Sequence, residues 1–259
     1  MKATLVRALE ESGTLLMRYW THGFSTSVKP DNSLVTEADL AAEKMITRII
    51  RERFPDHGII GEEGGGSFKD RTWIIDPIDG TALFAHGLPE WGTLIALMED
   101  GEIVLAGMHM PALKRMYLAE KGKGATCNGK PIRVCEETRL TDALVWFGTY
   151  VKTEEESLRE GAMYARLVLA AQYVQGSNGP YMAGTVADGR AGVIVNLHAK
   201  VWDVAAASLI IQEAGGIVTD DRGEPHAFGE DLAKNYPIVA GNRALHAQAL
   251  LLLKRSGGE

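Results

Sequence analysis

The spacing of apolar positions predicts that the first part of the chain begins with two helices. An amphipathic helix is expected from Met1 to Trp20. A second helix is expected after Thr36, because a hydroxyl N-cap and acidic first-turn residues precede an apolar stripe. That stripe consists of Leu40, Met45, Ile46, Ile49 and Ile50. Phe54-Pro55 is expected to end this helix.

Short apolar runs separated by turn residues follow, and they predict an antiparallel meander. Ile59-Ile60 and Trp73 to Ile75 are expected strands, and the glycine-rich segment between them, 61–66, is expected to be a mobile loop. Two apolar runs around Glu99-Asp100-Gly101 indicate a hairpin. Asn128-Gly129 is a strong hairpin-turn signal, and it places two more strands nearby.

Beyond residue 140, segments with the apolar spacing of a helix alternate with short apolar runs typical of strands. This favours a mixed α/β arrangement. Strands are expected at 144–147, 192–196, 217–219 and 237–240, and helices at 154–173, 181–188, 204–214 and 243–254. The sequence therefore predicts an N-terminal α+β half over residues 1–140 and a C-terminal α/β half over residues 141–259.

Charge and composition exclude several classes of protein. A formal charge of −7 disfavours nonspecific binding to nucleic acid or to an anionic membrane. No run reaches the roughly 18 apolar residues of a membrane span. The two cysteines are too few for a disulfide framework or a cysteine-rich zinc site, so a cytoplasmic protein is expected.

One segment carries most of the chemical information, the run from Trp73 to Thr81. In this run an apolar strand ends at two carboxylates, Asp76 and Asp79, and Pro77 and Gly80 are expected to form a turn there. Buried carboxylates are costly unless a cation lies between them, and oxygen-only ligands favour Mg²⁺. The amides after the turn could bind an anion. The alternative is that an aspartate only caps a helix beginning at Thr81.

Two further acidic segments could join this site. Glu62-Glu63 follows the strand that precedes Trp73, so the ends of the two strands could be neighbours, although an acidic pair in a glycine loop is usually solvated. Asp203 lies where the helix 204–214 is expected to begin, and an N-cap role is compatible with metal binding. Asp39 and Lys29 would by themselves be a first-turn residue and a solvated loop charge.

Together these segments resemble the inositol monophosphatase family from about Leu34 to Asp220. The motifs that carry the resemblance are Gly61-Glu62-Glu63, Asp76-Pro77-Ile78-Asp79-Gly80-Thr81, Trp202-Asp203-Val204-Ala205-Ala206 and Glu213-Ala214-Gly215-Gly216. The resemblance implies a layered αβαβα sandwich of the inositol monophosphatase and fructose-1,6-bisphosphatase type. It also implies a homodimer, inhibition by lithium, and Mg²⁺-dependent hydrolysis of a small phosphate monoester.

The resemblance also implies a role for each site residue. Glu62, Asp76 and the Ile78 carbonyl would hold one Mg²⁺, Asp76, Asp79 and Asp203 a second, and Glu62 would help to place a third through water. Thr81, supported by Asp39, would activate the attacking water, and the Gly80 and Thr81 amides would bind the phosphate. The expected substrate contacts are Asp79, Ser177, Asn178 and Asn196.

The substrate is left open by two departures from the family pattern. Asn196 stands where inositol phosphatases carry an acidic residue that binds sugar hydroxyls, and Ser177-Asn178 matches neither the inositol nor the histidinol-phosphate branch. His198 and Lys200 could favour a more anionic substrate, or could simply lie on the surface.

Five functions therefore stay open. An inositol-1-phosphate-like substrate leads, with histidinol phosphate, a sugar bisphosphate or a nucleotide 3′-phosphate as alternatives. A metal-binding regulatory scaffold without turnover is the non-enzymatic alternative, and the complete ligand set argues against it.

Overall fold

The computed structural model describes residues 1–29, 33–148, 153–229 and 231–254, and they form a layered α+β fold. Two helices, an eight-stranded sheet, two more helices, a five-stranded sheet and two outer helices are stacked in that order. This is the expected αβαβα sandwich. The helices are α1 (Lys2–His22), α2 (Glu37–Arg51), α3 (Thr81–Ala85), α4 (Glu154–Ala170), α5 (Pro180–Ala187), α6 (Val201–Glu213) and α7 (Arg243–Lys254).

The strands form three sheets within the described part of the chain. A small sheet pairs β1 with β2, the large sheet has the order β10-β9-β8-β7-β6-β5-β3-β4, and the third has the order β12-β11-β13-β15-β14. The strands are β1 (Thr26–Val28), β2 (Leu34–Thr36), β3 (Gly58–Gly61), β4 (Gly65–Ser67), β5 (Arg71–Asp79), β6 (Gly92–Glu99), β7 (Glu102–Met110), β8 (Arg115–Glu120), β9 (Ala125–Cys127), β10 (Lys130–Pro131), β11 (Leu144–Gly148), β12 (Tyr173–Ser177), β13 (Val193–Asn196), β14 (Ile217–Thr219) and β15 (Ile238–Gly241).

Strand β5 is central because both of its faces are buried. Ile74 packs in the core between the two large sheets, while Trp73 and Ile75 pack in the core beneath α1 and α2. This explains the continuous apolar run in its sequence. Beside it, β3 is parallel and β6 is antiparallel. The carboxyl ends of β3 and β5 therefore lie at the same edge of the sheet.

Helix α6 joins the two halves of the chain. It packs on β6 and β7 of the large sheet and on β14 and β15 of the third sheet, and residues 204–211 are all buried. A helix that is apolar on every side must be covered on every side. The division into halves at residue 140 stays a prediction, because this helix of the second half contributes to a core shared with the first.

Several local predictions are confirmed, and four need correction. Thr36 caps α2 with a capping box to Asp39, as expected, but Leu40 is 56 % exposed because it lies off the buried stripe of that helix. The predicted loop 61–66 instead contains part of β4, which pairs with β3. The predicted strand Trp73–Ile75 continues to Asp79. The predicted helix 154–173 ends at Ala170, since the next residues pair with β11 as strand β12.

Gly66 provides a test of the β3–β4 hairpin. Its φ is +139°, and a Cβ atom there would lie 1.9 Å from the carbonyl oxygen of Ile59. We expect Gly66→Ala to lower the free energy of unfolding by roughly 1–3 kcal/mol, as measured by urea denaturation.

Gly161→Ala is the matched control for Gly66→Ala. Gly161 lies on the exposed side of α4, and nothing lies within 4 Å of the position that a Cβ would take. The same chemical change should therefore stabilise the protein there by about 0.5–1 kcal/mol. Equal stability of Gly66→Ala and the wild type would contradict the clash at the hairpin.

Candidate metal and phosphate site

The site begins where β5 leaves its regular pairing with β6. The register of that pairing shifts between Asp76 and Asp79, and the Thr93 hydroxyl donates to the Pro77 carbonyl at 2.9 Å. Proline has no N–H to donate to the ladder, so an irregularity here costs little. Gly80 then turns the chain with φ of +85°, in the left-handed region that favours glycine, into α3.

The turn brings three carboxylates together. One oxygen each from Asp76, Asp79 and Asp203 lies within 4.8 Å of the others. Asp76 is buried, and its Oδ1 has no hydrogen-bond partner, while Asp79 and Asp203 are partly exposed to a cavity. Clustered carboxylate oxygens with an unpartnered buried atom fit a hard divalent cation such as Mg²⁺.

The protonation of these carboxylates reflects the same crowding. Burial raises the pKa of Asp76 and Asp79 well above the ordinary range, and the neighbouring carboxylates raise both further. Burial raises the pKa of Asp203 to about 7, although an N–H donated by Lys200 opposes the shift. A bound cation would reverse these shifts, because it stabilises the ionised form.

Asp203 lies within the first turn of α6 rather than at its N-cap. The helix begins at Val201, so the prediction that Asp203 caps it is wrong. Asp203 Oδ2 accepts the backbone N–H of the actual N-cap residue, Lys200, at 2.6 Å. This contact fixes one carboxylate oxygen of Asp203, and α6 thereby brings a carboxylate from the second half of the chain to the cluster.

Glu62 lies next to this cluster but is paired with a cation of the chain itself. The Lys29 ammonium lies 2.8 Å from Glu62 Oε1 and 2.6 Å from Glu63 Oε1. The interpretation of Lys29 as a solvated loop charge is therefore wrong. Burial works against the charged ammonium, but the two glutamates outweigh it and raise the pKa of Lys29.

The turn that carries Glu62 is fixed by a buried carboxylate that the sequence reasoning missed. Glu43 accepts the backbone N–H groups of Glu63 and Gly64 at 2.9 and 2.7 Å. A Cβ at Gly61 would lie 2.4 Å from that carboxylate, so only glycine allows this approach. Glu43 falls within the buried stripe of α2, and an acidic residue in an apolar stripe was the available signal.

Thr81 and Asp39 come together as expected. The Thr81 hydroxyl lies 3.3 Å from Asp39 Oδ1 and 3.0 Å from the Ile78 carbonyl oxygen. Asp39 Oδ2 meanwhile accepts the N–H and the hydroxyl of Thr36, so one oxygen caps the helix and the other faces Thr81. Burial raises the pKa of Asp39 to about 6 against these hydrogen bonds. The Asp39 carboxylate can therefore polarise the Thr81 hydroxyl, which lies at the edge of the carboxylate cluster.

A cavity of about 960 Å³ opens above the cluster. Asp76, Asp79 and Asp203 line it together with Glu62, Ile78, Gly80, Thr81 and Lys29. The amide of Gly80 donates to the Asp79 carboxylate, and α3 is only five residues long. Phosphate binding by the Gly80 and Thr81 amides therefore stays a prediction.

The predicted substrate contacts divide into two groups. Asn178 and Asn196 line the cavity. Ser177 does not line it, since the residue is 8 % exposed and its hydroxyl is enclosed. Asn196 Oδ1 accepts the backbone N–H of His198 at 3.1 Å. His198 and Lys200 also line the cavity, so they are not simply surface residues.

Comparison with known proteins agrees with this architecture. The family model described as "Inositol monophosphatase family" matches residues 1–257. The chain is 38 % identical over 247 residues to the "Fructose-1,6-bisphosphatase/inositol-1-monophosphatase" of Thermotoga maritima, covering 95 % of this chain and 92 % of that one. It is 37 % identical to the "Histidinol-phosphatase" of Chlorobaculum parvum, covering 91 % and 90 %.

A solved structure shows the same fold. The extragenic suppressor protein suhB of Bartonella henselae is 27 % identical, covers 98 % of both chains and superposes with a TM-score of 0.90. The chain thus belongs to the inositol monophosphatase family, a metal-dependent phosphatase family. Within the described part of the chain, no helix is long and apolar enough to cross a bilayer.

The raised pKa values predict how stability changes with pH in protein treated with a chelator. The folded pKa of Asp203, about 7, exceeds its unfolded value near 4, so the folded state binds more protons between these values. Its contribution to the free energy of unfolding is full below about pH 4 and is lost as pH rises to about 7. Urea denaturation across this range measures the loss.

Asp203→Asn should lose less stability than the wild type between pH 4 and 7, because its amide does not titrate. Asp70→Asn, at an exposed position outside the cavity, is the control and should follow the wild type. Saturating Mg²⁺ should also flatten the wild-type profile, since it binds the ionised carboxylates. A steeper loss for Asp203→Asn would contradict the assigned direction.

Proposed function

We propose that this protein hydrolyses small phosphate monoesters of the polyol or sugar class with two to three Mg²⁺ ions. Inositol 1-phosphate is the reference substrate. The proposal is carried by the convergence of Asp76, Asp79 and Asp203 at the floor of a cavity that Glu62 and Thr81 also line. The family membership and the names of two relatives as phosphatases support the reaction class.

The resemblance to the inositol monophosphatase family assigns the residues that would hold the ions. Asp76 would be shared between two ions, with Glu62 and the Ile78 carbonyl completing one and Asp79 and Asp203 the other. When bound, Mg²⁺ supplies positive charge that neutralises the phosphate and lowers the pKa of a nearby water. Glu62 would first have to leave Lys29, whose ammonium it now contacts at 2.8 Å.

The protein's own groups would supply orientation and a proton acceptor. The Thr81 hydroxyl would accept a hydrogen bond from the attacking water and pass its own proton toward Asp39, which lies 3.3 Å away. The buried Asp39 carboxylate suits this role, since its pKa of about 6 lets it receive a proton near neutral pH.

Two alternatives have less support. A histidinol-phosphate substrate carries an ammonium group, whereas the cavity positions Asn178 and Asn196 are neutral amides. A regulatory scaffold without turnover would not need the Thr81–Asp39 contact beside a carboxylate cluster. The decisive experiment measures phosphate release from a panel of monoesters with Mg²⁺ and with chelator. Release from no member of the panel would favour the scaffold.

Asp76→Asn should abolish Mg²⁺-dependent phosphate release from inositol 1-phosphate. The amide cannot bridge two cations, and the variant should stay folded because it removes a charge from a repulsive cluster. A malachite-green assay at saturating Mg²⁺ measures turnover, with circular dichroism to check folding. The control is Asp70→Asn, which should retain wild-type turnover. Near-normal activity of Asp76→Asn would contradict the role of Asp76 as a metal ligand.

Thr81→Ala should lower kcat by roughly 10²- to 10⁴-fold, because it removes the hydroxyl next to Asp39. Thr81→Ser keeps a hydroxyl and should recover most of the rate. Steady-state kinetics of both variants at saturating Mg²⁺ provide the comparison. Equal rates for the alanine and serine variants would exclude a catalytic hydroxyl at this position.

A further inference from the structure

The cavity wall away from the carboxylate cluster contains a histidine held by a buried glutamate. His198 Nε2 lies 2.5 Å from Glu160 Oε1. Glu160 comes from α4, is only 3 % exposed, and its other oxygen, Oε2, is buried without a hydrogen-bond partner. His198 lines the cavity, with its side chain 19 % exposed.

A carboxylate buried to this degree needs a positive partner. Lone buried charges are strongly disfavoured, and among the described residues His198 is the partner of Glu160. In the charged form of such a pair, both ring nitrogens of the imidazole are donors. With Nε2 directed to Glu160, Nδ1 is the remaining donor, and no described residue accepts from it.

The groups around His198 decide which kind of ligand suits that donor. Arg159, next to Glu160 on α4, lines the same cavity, as does Lys200, whose ammonium is anchored on the Ala233 carbonyl. Asn196 brings no charge. Glu156 and Asp221 also line the cavity, so the wall is mixed in sign, and selectivity has to come from a directed donor.

We propose that His198, held by Glu160, is a specificity-determining residue that binds a second anionic group of the substrate. That group is a phosphate or a carboxylate on the leaving-group side, away from the phosphate that is hydrolysed. Glu160 is a positioning residue that acts through His198. This inference rests on the proposed phosphatase function, and it narrows the substrate class from small polyol or sugar monoesters to those that carry another negative charge.

The experiment compares kcat/KM for three substrates in the presence of Mg²⁺. Glycerol 2-phosphate has a neutral leaving group, 3-phosphoglycerate adds a carboxylate, and fructose 1,6-bisphosphate adds a phosphate. We expect His198→Asn to lower the preference for the doubly anionic substrates over glycerol 2-phosphate by about 10- to 100-fold, the range for a lost hydrogen bond to a charged group. His22→Asn, at an exposed position on α1, is the control and should leave the preference unchanged.

Glu160→Gln tests the positioning role. It keeps the size of the side chain but removes the charge, so it should shift the preference in the same direction by a smaller factor. In the His198→Asn background, Glu160→Gln should have no further effect on the preference, since positions that act as a unit are not additive. Glu155→Gln, on the exposed side of α4, is the control, and thermal unfolding checks that each variant is folded.

The outcomes separate this inference from the proposed function. Absence of Mg²⁺-dependent release from all three substrates by the wild type would remove the proposed function itself. An active wild type whose His198→Asn variant loses the same factor on all three substrates would overturn only the role of His198. A loss confined to fructose 1,6-bisphosphate identifies the second group as phosphate, and a loss shared with 3-phosphoglycerate identifies a general anion site.

Discussion

The repulsion among the buried carboxylates at the end of β5 is the constraint on which the site depends. Asp76, Asp79 and Asp203 converge within 4.8 Å, and the environment shifts all three toward the protonated form. A protein that buried these groups for stability alone would gain nothing from their proximity. The arrangement is favourable when protons or a cation neutralise it, so metal binding near neutral pH would stabilise the folded site.

The layered fold keeps these repelling groups in place because they are attached to different rigid elements. Asp76 and Asp79 end a strand that is buried on both faces, while Asp203 belongs to α6, which is packed between the two large sheets. Glu62 lies on a turn that Glu43 fixes from α2. The elements cannot move apart without opening a core, so the strain at the site is opposed by apolar packing elsewhere.

Different parts of the same cavity would serve the reaction and the selection of the substrate. The floor is built from carboxylates and a hydroxyl, which suit a metal and a water molecule. The wall away from the cluster contains Asn196, His198 and charged residues of both signs, Arg159, Lys200, Glu156 and Asp221. A chain that keeps the floor can therefore change its substrate through the wall, and relatives with closely similar sequences are named for different phosphate esters.

The sequence was enough to predict a phosphatase of the inositol monophosphatase family, because the residues from Asp76 to Thr81 are adjacent in the chain and carry much of the resemblance. The sequence also predicted α1, α2 and most strands, because the spacing of apolar residues that indicates each of them lies within the segment itself. Which distant side chains meet could be learned only from the folded structure. The contacts of Lys29 with Glu62 and of Glu160 with His198 join segments 33 and 38 residues apart, and β12 is a strand only because β11 lies beside it. Long-range pairing of this kind leaves no local pattern in the sequence, so the contacts that hold these side chains in the cavity emerged only from the fold.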